Sequence, residues 1–331
     1  MRRSIPLALA AVLTMTLAAC GGNSSGSAGS PAPGETTTLK VGTIGIGSDA
    51  AIKLAADKGY FKEQGLNVEF SVIANPPAGI AAAQSGQIDV TYTPSIPLLN
   101  ALSQNVPLKI VAAADGYKDG ANAGSELSRV DDTGLLVQKT SAISRPKDLE
   151  GKNVSVPARK AQLEVTVSKL VKDDGGDPAK VNWMVLDASS ALQSLNSGRV
   201  DAASLIAPFT SKAMSEGNRL LASPGVEFFE QGAIGLWVSG ANTVKSKEKA
   251  LEGFRAAIYK ANAYANEHID EAQQVSADIT KTSIDVVKSG AVNYWPDAVR
   301  IEDIERANTN LADLGFLNSP VKLPGDLIFG K

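Results

Sequence analysis

The sequence predicts an α/β protein that is built as two similar lobes. Strand-like and helix-like segments alternate along most of the chain, which favours mostly parallel sheets with helices on both faces. The globular part, residues 39–331, also exceeds the length at which one hydrophobic core usually stops growing. Finally, one short motif occurs twice, which is expected when the same supersecondary unit is used once in each lobe.

The N-terminus has the composition of an export signal. Two arginines precede an apolar stretch over residues 5–17, and Cys20, the only cysteine in the 331 residues, follows shortly after. The stretch is too short to span a bilayer comfortably, so residues 1–19 are predicted to be a secretory signal peptide. The four letters that end at Cys20, LAAC, resemble a bacterial lipobox, which implies cleavage before Cys20 and lipid attachment to its thiol. The alternative is an ordinary signal peptide with a chance cysteine.

The segment that starts at the cysteine, residues 20–38, is predicted to be a flexible tether. After Cys20 it holds glycine, serine, alanine, proline, asparagine and threonine, with Glu35 as its one charge and no large apolar side chain. Such a composition cannot bury enough apolar surface to offset the entropy lost on ordering. A lipidated Cys20 would therefore hold an extracytoplasmic globular body on the outer face of the cell membrane.

Charge and cysteine content exclude two classes of protein. Removing residues 1–19 takes away two arginines and changes the formal net charge from −3 to −5, and no basic tract is present. A nucleic-acid partner is therefore not expected. Because the chain has a single cysteine, which would carry lipid, a scaffold held by disulfides is not expected either.

The histidine content argues against catalysis. His268 is the only histidine, which leaves no Ser/His/Asp or Cys/His nucleophile system and no zinc site of the usual composition. No EF-hand spacing is present, although carboxylate-only chemistry or calcium binding stays open. We therefore predict a protein that is not an enzyme and that uses no metal and no cofactor.

The individual elements follow from apolar periodicity and from the residues that end helices, such as Gly59 and Gly86. In the first half, strands are predicted at 39–44, 68–73, 88–92 and 108–113, with helices at 50–58, 77–85 and 96–105. A second series has strands at 153–156, 181–186 and 200–205, with helices at 161–172 and 189–196. Four helices follow at 251–265, 271–279, 283–292 and 301–314, the first with apolar residues spaced by three and four.

The internal repeat relates residues 84–90, QSGQIDV, to residues 196–202, NSGRVDA. In both copies a helix is predicted to end at the glycine and a short strand to begin after the aspartate. The repeat predicts two lobes of similar construction, and chance similarity in the chemistry of helix ends is the alternative.

A further segment, residues 59–69 with the sequence GYFKEQGLNVE, closely resembles a segment of solute-binding proteins of the nitrate/sulfonate/taurine group. These proteins serve ATP-binding-cassette (ABC) importers. The segments at 85–90, 149–154 and 198–202 also fall in the family order, and the resemblance covers about residues 39–314. It implies a type II periplasmic-binding-protein-like fold, with two α/β lobes joined by two crossover strands and the ligand cleft between them.

The resemblance also implies domain boundaries. The crossover strands are expected at 134–139 and 234–239. Lobe I would then comprise residues 39–138 plus 236–331, and lobe II would comprise residues 139–235.

Candidate ligand-binding residues lie in the loops after the strands. Open parallel sheets bind ligands beyond the carboxyl ends of their strands, where helix N-termini present free N–H groups. In lobe I these loops contain Gly45, Ile46, Gly47, Ser48, Asp49, Asn75, Thr93, Pro94, Ser95 and Tyr117. In lobe II they contain Arg159, Lys160, Gln162, Ser189, Ser190, Pro208 and Phe209.

Each of these candidates could instead have a structural role. The serines and the aspartate among them could serve only as helix caps. Arg159 and Lys160 suit a carboxylate or a sulfonate, but they could equally form a solvated surface pair. Tyr92, Tyr117 and Phe209 could stack on a ligand or pack in the core.

Together these features predict a monomeric, lipid-anchored receptor that captures a small solute by lobe closure and delivers it to an ABC permease and its ATPase. The resemblance implies a small organic or inorganic anion, of the sulfonate, taurine, nitrate or aromatic acid class. Ala207 departs from many relatives, which carry a glutamate before the proline at this place. A pyrimidine or another heteroaromatic precursor therefore stays open as the ligand. Two further roles also stay open, namely a lipoprotein that informs a sensor kinase and a lipoprotein with a purely structural role at the surface.

Overall fold

The computed structural model describes residues 36–124 and 126–330. The predicted signal peptide at 1–19, the lipidation site Cys20 and most of the tether predicted at 20–38 lie outside these residues. The first strand begins at Thr37, whose N–H donates to the carbonyl of Gly65 (2.9 Å). Thr37 and Thr38 therefore belong to a sheet, so the folded part starts two residues earlier than predicted.

Ten strands lie within the described residues and form two five-stranded sheets. The strands are β1 (Thr37–Thr43), β2 (Leu66–Val72), β3 (Val90–Pro94), β4 (Leu108–Tyr117), β5 (Thr133–Gln138), β6 (Asn153–Val156), β7 (Asn182–Val185), β8 (Ala202–Ile206), β9 (Asn218–Ala222) and β10 (Gly232–Gly240). The first sheet has the order β2-β1-β3-β10-β4, and the second has the corresponding order β7-β6-β8-β5-β9. This correspondence confirms the predicted α/β fold of two similarly built lobes.

One strand in each sheet runs against the other four. β10 is antiparallel to β3 and β4, and β5 is antiparallel to β8 and β9, whereas the remaining pairs are parallel. The sheets are therefore mixed, where mostly parallel sheets are predicted. The reversed strands are the ones that the chain enters after crossing from the other sheet, and they coincide with the crossovers predicted at 134–139 and 234–239.

The hydrogen bonds of these two strands shift the expected lobe boundaries. β5 pairs inside the second sheet, although residues up to 138 are predicted to belong to lobe I. β10 pairs inside the first sheet from Gly232 onward, although residues up to 235 are predicted to belong to lobe II. The difference arises because each crossover strand inserts between two strands of the sheet that it enters, and not along its edge.

Thirteen α-helices of the described residues surround the sheets. They are α1 (Ala50–Asp57), α2 (Tyr60–Glu63), α3 (Pro76–Ser85), α4 (Ser95–Ser103), α5 (Gln162–Asp173), α6 (Ala188–Asn196), α7 (Phe209–Ser215), α8 (Pro224–Phe229), α9 (Ala241–Ser246), α10 (Glu248–Glu267), α11 (Ile269–Thr280), α12 (Ile284–Ser289) and α13 (Ile301–Asp313). The elements that the sequence pattern does not predict, namely α2, α7, α8, α9 and β9, have four to seven residues each. Such segments are too short to show a clear period.

The two copies of the sequence repeat occupy equivalent places. The first copy runs from the end of α3 into β3, and the second runs from the end of α6 into β8, the third strand of the other sheet. In the first copy, Asp89 accepts a hydrogen bond from the N–H of Lys40 and donates its own N–H to the Lys40 carbonyl, both at 2.8 Å. Asp201 forms the same two bonds with Asn153, also at 2.8 Å. The repeated aspartate therefore joins a strand to its neighbour once in each lobe.

Apolar clusters form on each sheet, and a further cluster joins Val165 of α5 to residues of the first lobe. In the first lobe, α10 packs its predicted apolar face inward, and Leu251, Phe254 and Ile258 are fully buried there with Trp237 of β10. In the second lobe, β5 and β6 contribute to a cluster with α5. In the described part of the chain, no helix has the length and apolar character that crossing a bilayer requires.

Candidate functional site

A cavity of about 1140 Å³ lies between the two sheets and is lined from both. On the first lobe, its walls are the segments that follow β1, β2 and β3, together with the end of β4. On the second lobe, its walls are residues 157–163, which connect β6 to α5, with Ala188 and Ile206. The cavity therefore lies at the carboxyl ends of the strands that run parallel, which is where such folds bind ligands.

Several predicted ligand-binding residues line this cleft. They are Ile46, Asn75, Pro94, Tyr117, Arg159, Lys160 and Gln162. Gly47, Ser48 and Pro208 line a smaller adjacent pocket, which shares Ile46 and Asp132. The first group includes residues of both lobes, so residues far apart in sequence meet in one cavity.

The other predicted residues do not line the cleft. They are Gly45, Asp49, Thr93, Ser95, Ser189, Ser190 and Phe209. The backbone N–H groups of Ser189 and Ser190 donate to Asp187 (3.0 Å each), so Asp187 is the cap of α6. Phe209 begins α7 and packs against the apolar cluster of the second lobe. Thr93 and Ser95 are almost fully buried at the end of β3 and the start of α4.

The loop after β1 is fixed by its own aspartate. One carboxylate oxygen of Asp49, Oδ2, accepts hydrogen bonds from the N–H groups of Gly45 (2.8 Å) and Ile46 (3.2 Å). The other oxygen, Oδ1, is buried and has no hydrogen-bond partner. Burial raises the pKa of Asp49 to about 7. The indole N–H of Trp295 donates to the carbonyl of Ser48 (2.8 Å), which ties this loop to the C-terminal part of the first lobe.

Sequence reasoning missed the carboxylate at the end of β4. Asp115 lines the cleft and accepts hydrogen bonds from the hydroxyl groups of Ser48 and Tyr92 (3.1 Å for Tyr92) and from the N–H of Gly235 (3.0 Å). Burial raises the pKa of Asp115, although these hydrogen bonds act in the opposite direction. The signal that could have revealed it is an aspartate that directly follows an apolar strand, at the end where ligands bind.

Two adjacent aspartates, also missed, lie where the chain enters β5. Asp131 is buried and accepts hydrogen bonds from the hydroxyl of Tyr117 (2.6 Å), the N–H and hydroxyl of Thr133 (2.9 and 2.8 Å) and the N–H of Val226 (2.9 Å). Asp132 lines the cleft, and no other described residue donates a hydrogen bond to its carboxylate. Burial, with added repulsion from Asp131 and Asp115, raises the pKa of Asp132 well above its ordinary value.

The predicted cation of the second lobe is paired within the protein. Arg159 donates from Nε and Nη2 to the two carboxylate oxygens of Glu164 (2.7 and 3.1 Å). The N–H of Lys160 donates to the same carboxylate (2.6 Å), and Glu164 is almost fully buried. The arginine and its acidic partner therefore hold the loop at the start of α5, and the charge of Arg159 is compensated before any solute enters.

The described residues contain no group of three or more histidine, cysteine, aspartate or glutamate side chains that could hold a metal ion. The cleft has apolar walls that include Ile46, Ile206 and Ile234, and the rings of Tyr92, Tyr117 and Tyr294 also line it. Such a cavity suits a small organic molecule with a few polar groups.

The chain matches the family model described as NMT1/THI5 like over residues 48–121 and 125–272. It belongs to the NMT1/THI5-like family. The putative aliphatic sulfonates-binding protein of Bacillus subtilis (strain 168) is 24% identical to it over 322 residues, which cover 94% of this chain and 89% of that protein. The taurine-binding periplasmic protein of Escherichia coli (strain K12) is 25% identical over 199 residues, which cover 60% of this chain and 58% of that protein.

The fold of this NMT1/THI5-like chain is similar to that of solved binding proteins. The alkanesulfonate-binding protein SsuA from Xanthomonas axonopodis pv. citri, solved with MOPS bound, matches it with a TM-score of 0.69 at 16% identity. That match covers 89% of this chain and 98% of the solved one. The predicted resemblance to the nitrate/sulfonate/taurine group is confirmed by these relatives, and the named relatives are binding proteins.

Proposed function

We propose that this chain is the solute-binding component of an ABC importer, which captures a small organic solute in its cleft and delivers it to a permease. One observation carries the proposal: the cavity is lined by strand-end segments of both sheets, while the chain crosses from one sheet to the other only between β4 and β5 and between β9 and β10 within the described residues. A solute that contacts both walls would favour the closed arrangement of the lobes, which is the form that a permease can recognise.

The anchoring of the protein belongs to the same proposal. Residues 1–19 would direct export, Cys20 would carry the lipid, and the tether up to Thr36 would let a monomeric body reach a permease in the same membrane. Metabolic labelling with a fatty acid tests this part directly. We expect label in the wild-type protein and no label in Cys20→Ala. Wild-type protein that is released into the medium without label would contradict the proposed lipid anchor.

Solute capture is tested by thermal unfolding of the purified protein with a panel of sulfonates, nitrate, aromatic acids, pyrimidines and organic amines. A solute present at about 100 times its Kd should stabilise the protein by about 2.7 kcal/mol. Ala81 of α3 lines the cleft and is exposed, so Ala81→Trp should block a bound solute. Ala263 of α10 is also exposed on a helix but is not part of the cleft, so Ala263→Trp is the matched control. If no solute raises the Tm of the wild type, the proposal fails.

A further inference from the structure

We infer that the solute of this cleft is an organic cation with an apolar body, whose protonated nitrogen binds to the carboxylate of Asp132. This assignment depends on the proposed function, because it names the chemical class of solute for the same cleft. It differs from the small anion that the resemblance alone implies.

Asp132 is the carboxylate of the cleft that has room for a ligand. Asp115 and Asp131 already accept hydrogen bonds from three and four protein donors, respectively. The carboxylate of Asp132, in contrast, receives none from any other described residue, and it lines both the main cleft and the smaller pocket beside it. Its backbone carbonyl accepts the N–H of Ala207 (2.7 Å), which fixes Asp132 beside the end of β8 in the second lobe. A charged acceptor in such a position gains most from a donor that a ligand supplies.

The cations of the cleft are poorly placed for an anion. Arg159 and Lys160 are the only cationic side chains among its described lining residues, and the guanidinium of Arg159 already forms two hydrogen bonds with Glu164. For charge pairing, an anionic solute would therefore have Lys160 and the N–H groups of Arg159 that Glu164 does not use. It would gain no charge attraction from Asp115 or Asp132 and would make their ionisation less favourable still, whereas a cation would be attracted to both carboxylates.

The walls around Asp132 suit the rest of such a solute. The rings of Tyr92 and Tyr117 line the cleft together with Ile206 and Ile234, so an apolar or aromatic body would be buried against them. An aromatic ring also attracts a cation through its π face. Nitrate and other small inorganic anions would gain little from these apolar walls.

Ionisation of Asp132 should be linked to binding. Asp131 and Asp115 lie near Asp132, the rings of Tyr92 and Tyr117 line the same cleft, and Arg159 and Lys160 are its cations. Burial and the two neighbouring acids raise the pKa of Asp132, and a bound cation acts in the opposite direction because it favours the charged carboxylate. Binding of a cation should therefore shift Asp132 towards its charged form, whereas binding of an anion should not.

The test uses three probes of nearly the same shape and different charge: benzamidinium, benzamide and benzoate. Isothermal titration calorimetry of the purified wild-type protein is performed in two buffers that differ in ionisation enthalpy, so that proton release is measured with the affinity. We expect benzamidinium to bind at least about tenfold more tightly than benzoate, and we expect any net proton exchange on its binding to be release and not uptake. Asp132→Asn should weaken benzamidinium by at least about tenfold and should not lower the Tm of the empty protein.

Glu305→Gln is the matched control, because Glu305 is an exposed carboxylate of α13 outside the cleft. It should leave the affinity for benzamidinium unchanged. The inference is overturned if benzoate binds as tightly as benzamidinium, if Asp132→Asn leaves the benzamidinium affinity unchanged, or if no probe binds at about 10 mM while another anion of the wider panel does. In each of these cases some compound still binds in the cleft, so the proposed function as a solute-binding protein would not be contradicted. If no compound of any charge binds, both fail together.

Discussion

The hydroxyl of Tyr117 donates a hydrogen bond of 2.6 Å to the buried carboxylate of Asp131, and this bond joins the two ends of the first crossover between the lobes, from β4 to β5. Tyr117 ends β4 and lines the cleft, whereas Asp131 precedes β5 and also accepts the N–H of Val226, in the helix before β10. Asp131 therefore binds three segments that must keep their positions if the lobes are to move as units.

Tyr117→Phe removes this hydrogen bond while it keeps the aromatic ring in the cleft. The buried carboxylate loses one of its four donors, so we expect the free energy of unfolding to fall by about 1–3 kcal/mol. Urea unfolding measures the change. Tyr294→Phe is the matched control, because Tyr294 also lines the cleft but its hydroxyl has no hydrogen-bond partner among the described residues. Equal losses of stability in the two variants would contradict the role given to Asp131.

The same cluster allows almost no space beside Gly225. A Cβ atom at that position would lie 2.3 Å from the Tyr117 hydroxyl and 2.7 Å from both the Asp131 carboxylate and the Thr133 hydroxyl. Gly225→Ala should therefore destabilise the protein by about 1–3 kcal/mol, because rigid hydrogen-bonded atoms would have to shift. Gly325→Ala is the control, since a Cβ there meets no atom within 4 Å and the backbone has no positive φ.

A double mutant separates a local clash from a general effect. Tyr117→Phe removes the nearest atom that the new methyl group meets, so part of the cost of Gly225→Ala should disappear in the Tyr117→Phe background. Purely additive losses of unfolding free energy would show that the methyl group is accommodated elsewhere.

The repeated aspartates, Asp89 and Asp201, are expected to contribute differently to the stability of the protein although they form the same two hydrogen bonds. Asp89 is 6% exposed and also pairs with the ammonium of Lys247 (2.9 Å), whereas Asp201 is exposed. Asp89→Ala should therefore cost about 1–3 kcal/mol of unfolding free energy, and Asp201→Ala about 0.5–1.5 kcal/mol, by urea unfolding. A larger loss of stability in Asp201→Ala than in Asp89→Ala would contradict the importance given to the burial of Asp89 and to its ion pair with Lys247.

The repeat and the periodic helices explain how much of this fold the sequence predicts. The α3–β3 and α6–β8 units carry glycine, strand and aspartate signals within seven letters, and α10 has a regular apolar face, so local chemistry specifies them. The reversal of β5 and β10 is different, because a strand buried on both faces has the same composition whether it runs parallel or antiparallel to its neighbours. Its direction is set by the long-range connection and not by its own residues.

The candidate site is predictable only in part for a similar reason. The rule that ligands bind at strand ends finds Ile46, Asn75, Arg159 and Gln162 in the cleft wall, because each follows a recognisable strand. It does not find Asp132, which precedes a crossover strand, nor the pairing of Arg159 with Glu164. Which charge an arginine or aspartate meets depends on the tertiary arrangement, and single-sequence spacing does not encode it.

The pH dependence of stability should contain a contribution from Asp49. Burial raises its pKa from 3.8 to about 7 in the folded protein, so between these values the folded state binds a proton that the unfolded state has released. The contribution of Asp49 to the free energy of unfolding is therefore fully present below pH 4 and is lost as the pH rises to about 7. The loss is at most about 4 kcal/mol, at 1.36 kcal/mol per pH unit.

Asp49→Asn keeps an acceptor for Gly45 and Ile46 but cannot ionise, so it should be more stable than the wild type at pH 8 and similar to it at pH 4.5. Urea unfolding at both values measures this, with the exposed Asp285→Asn as control. If Asp49→Asn is instead less stable than the wild type at pH 8, the charged form of Asp49 stabilises the folded protein. That result would contradict the destabilising burial of the charge that is assigned here.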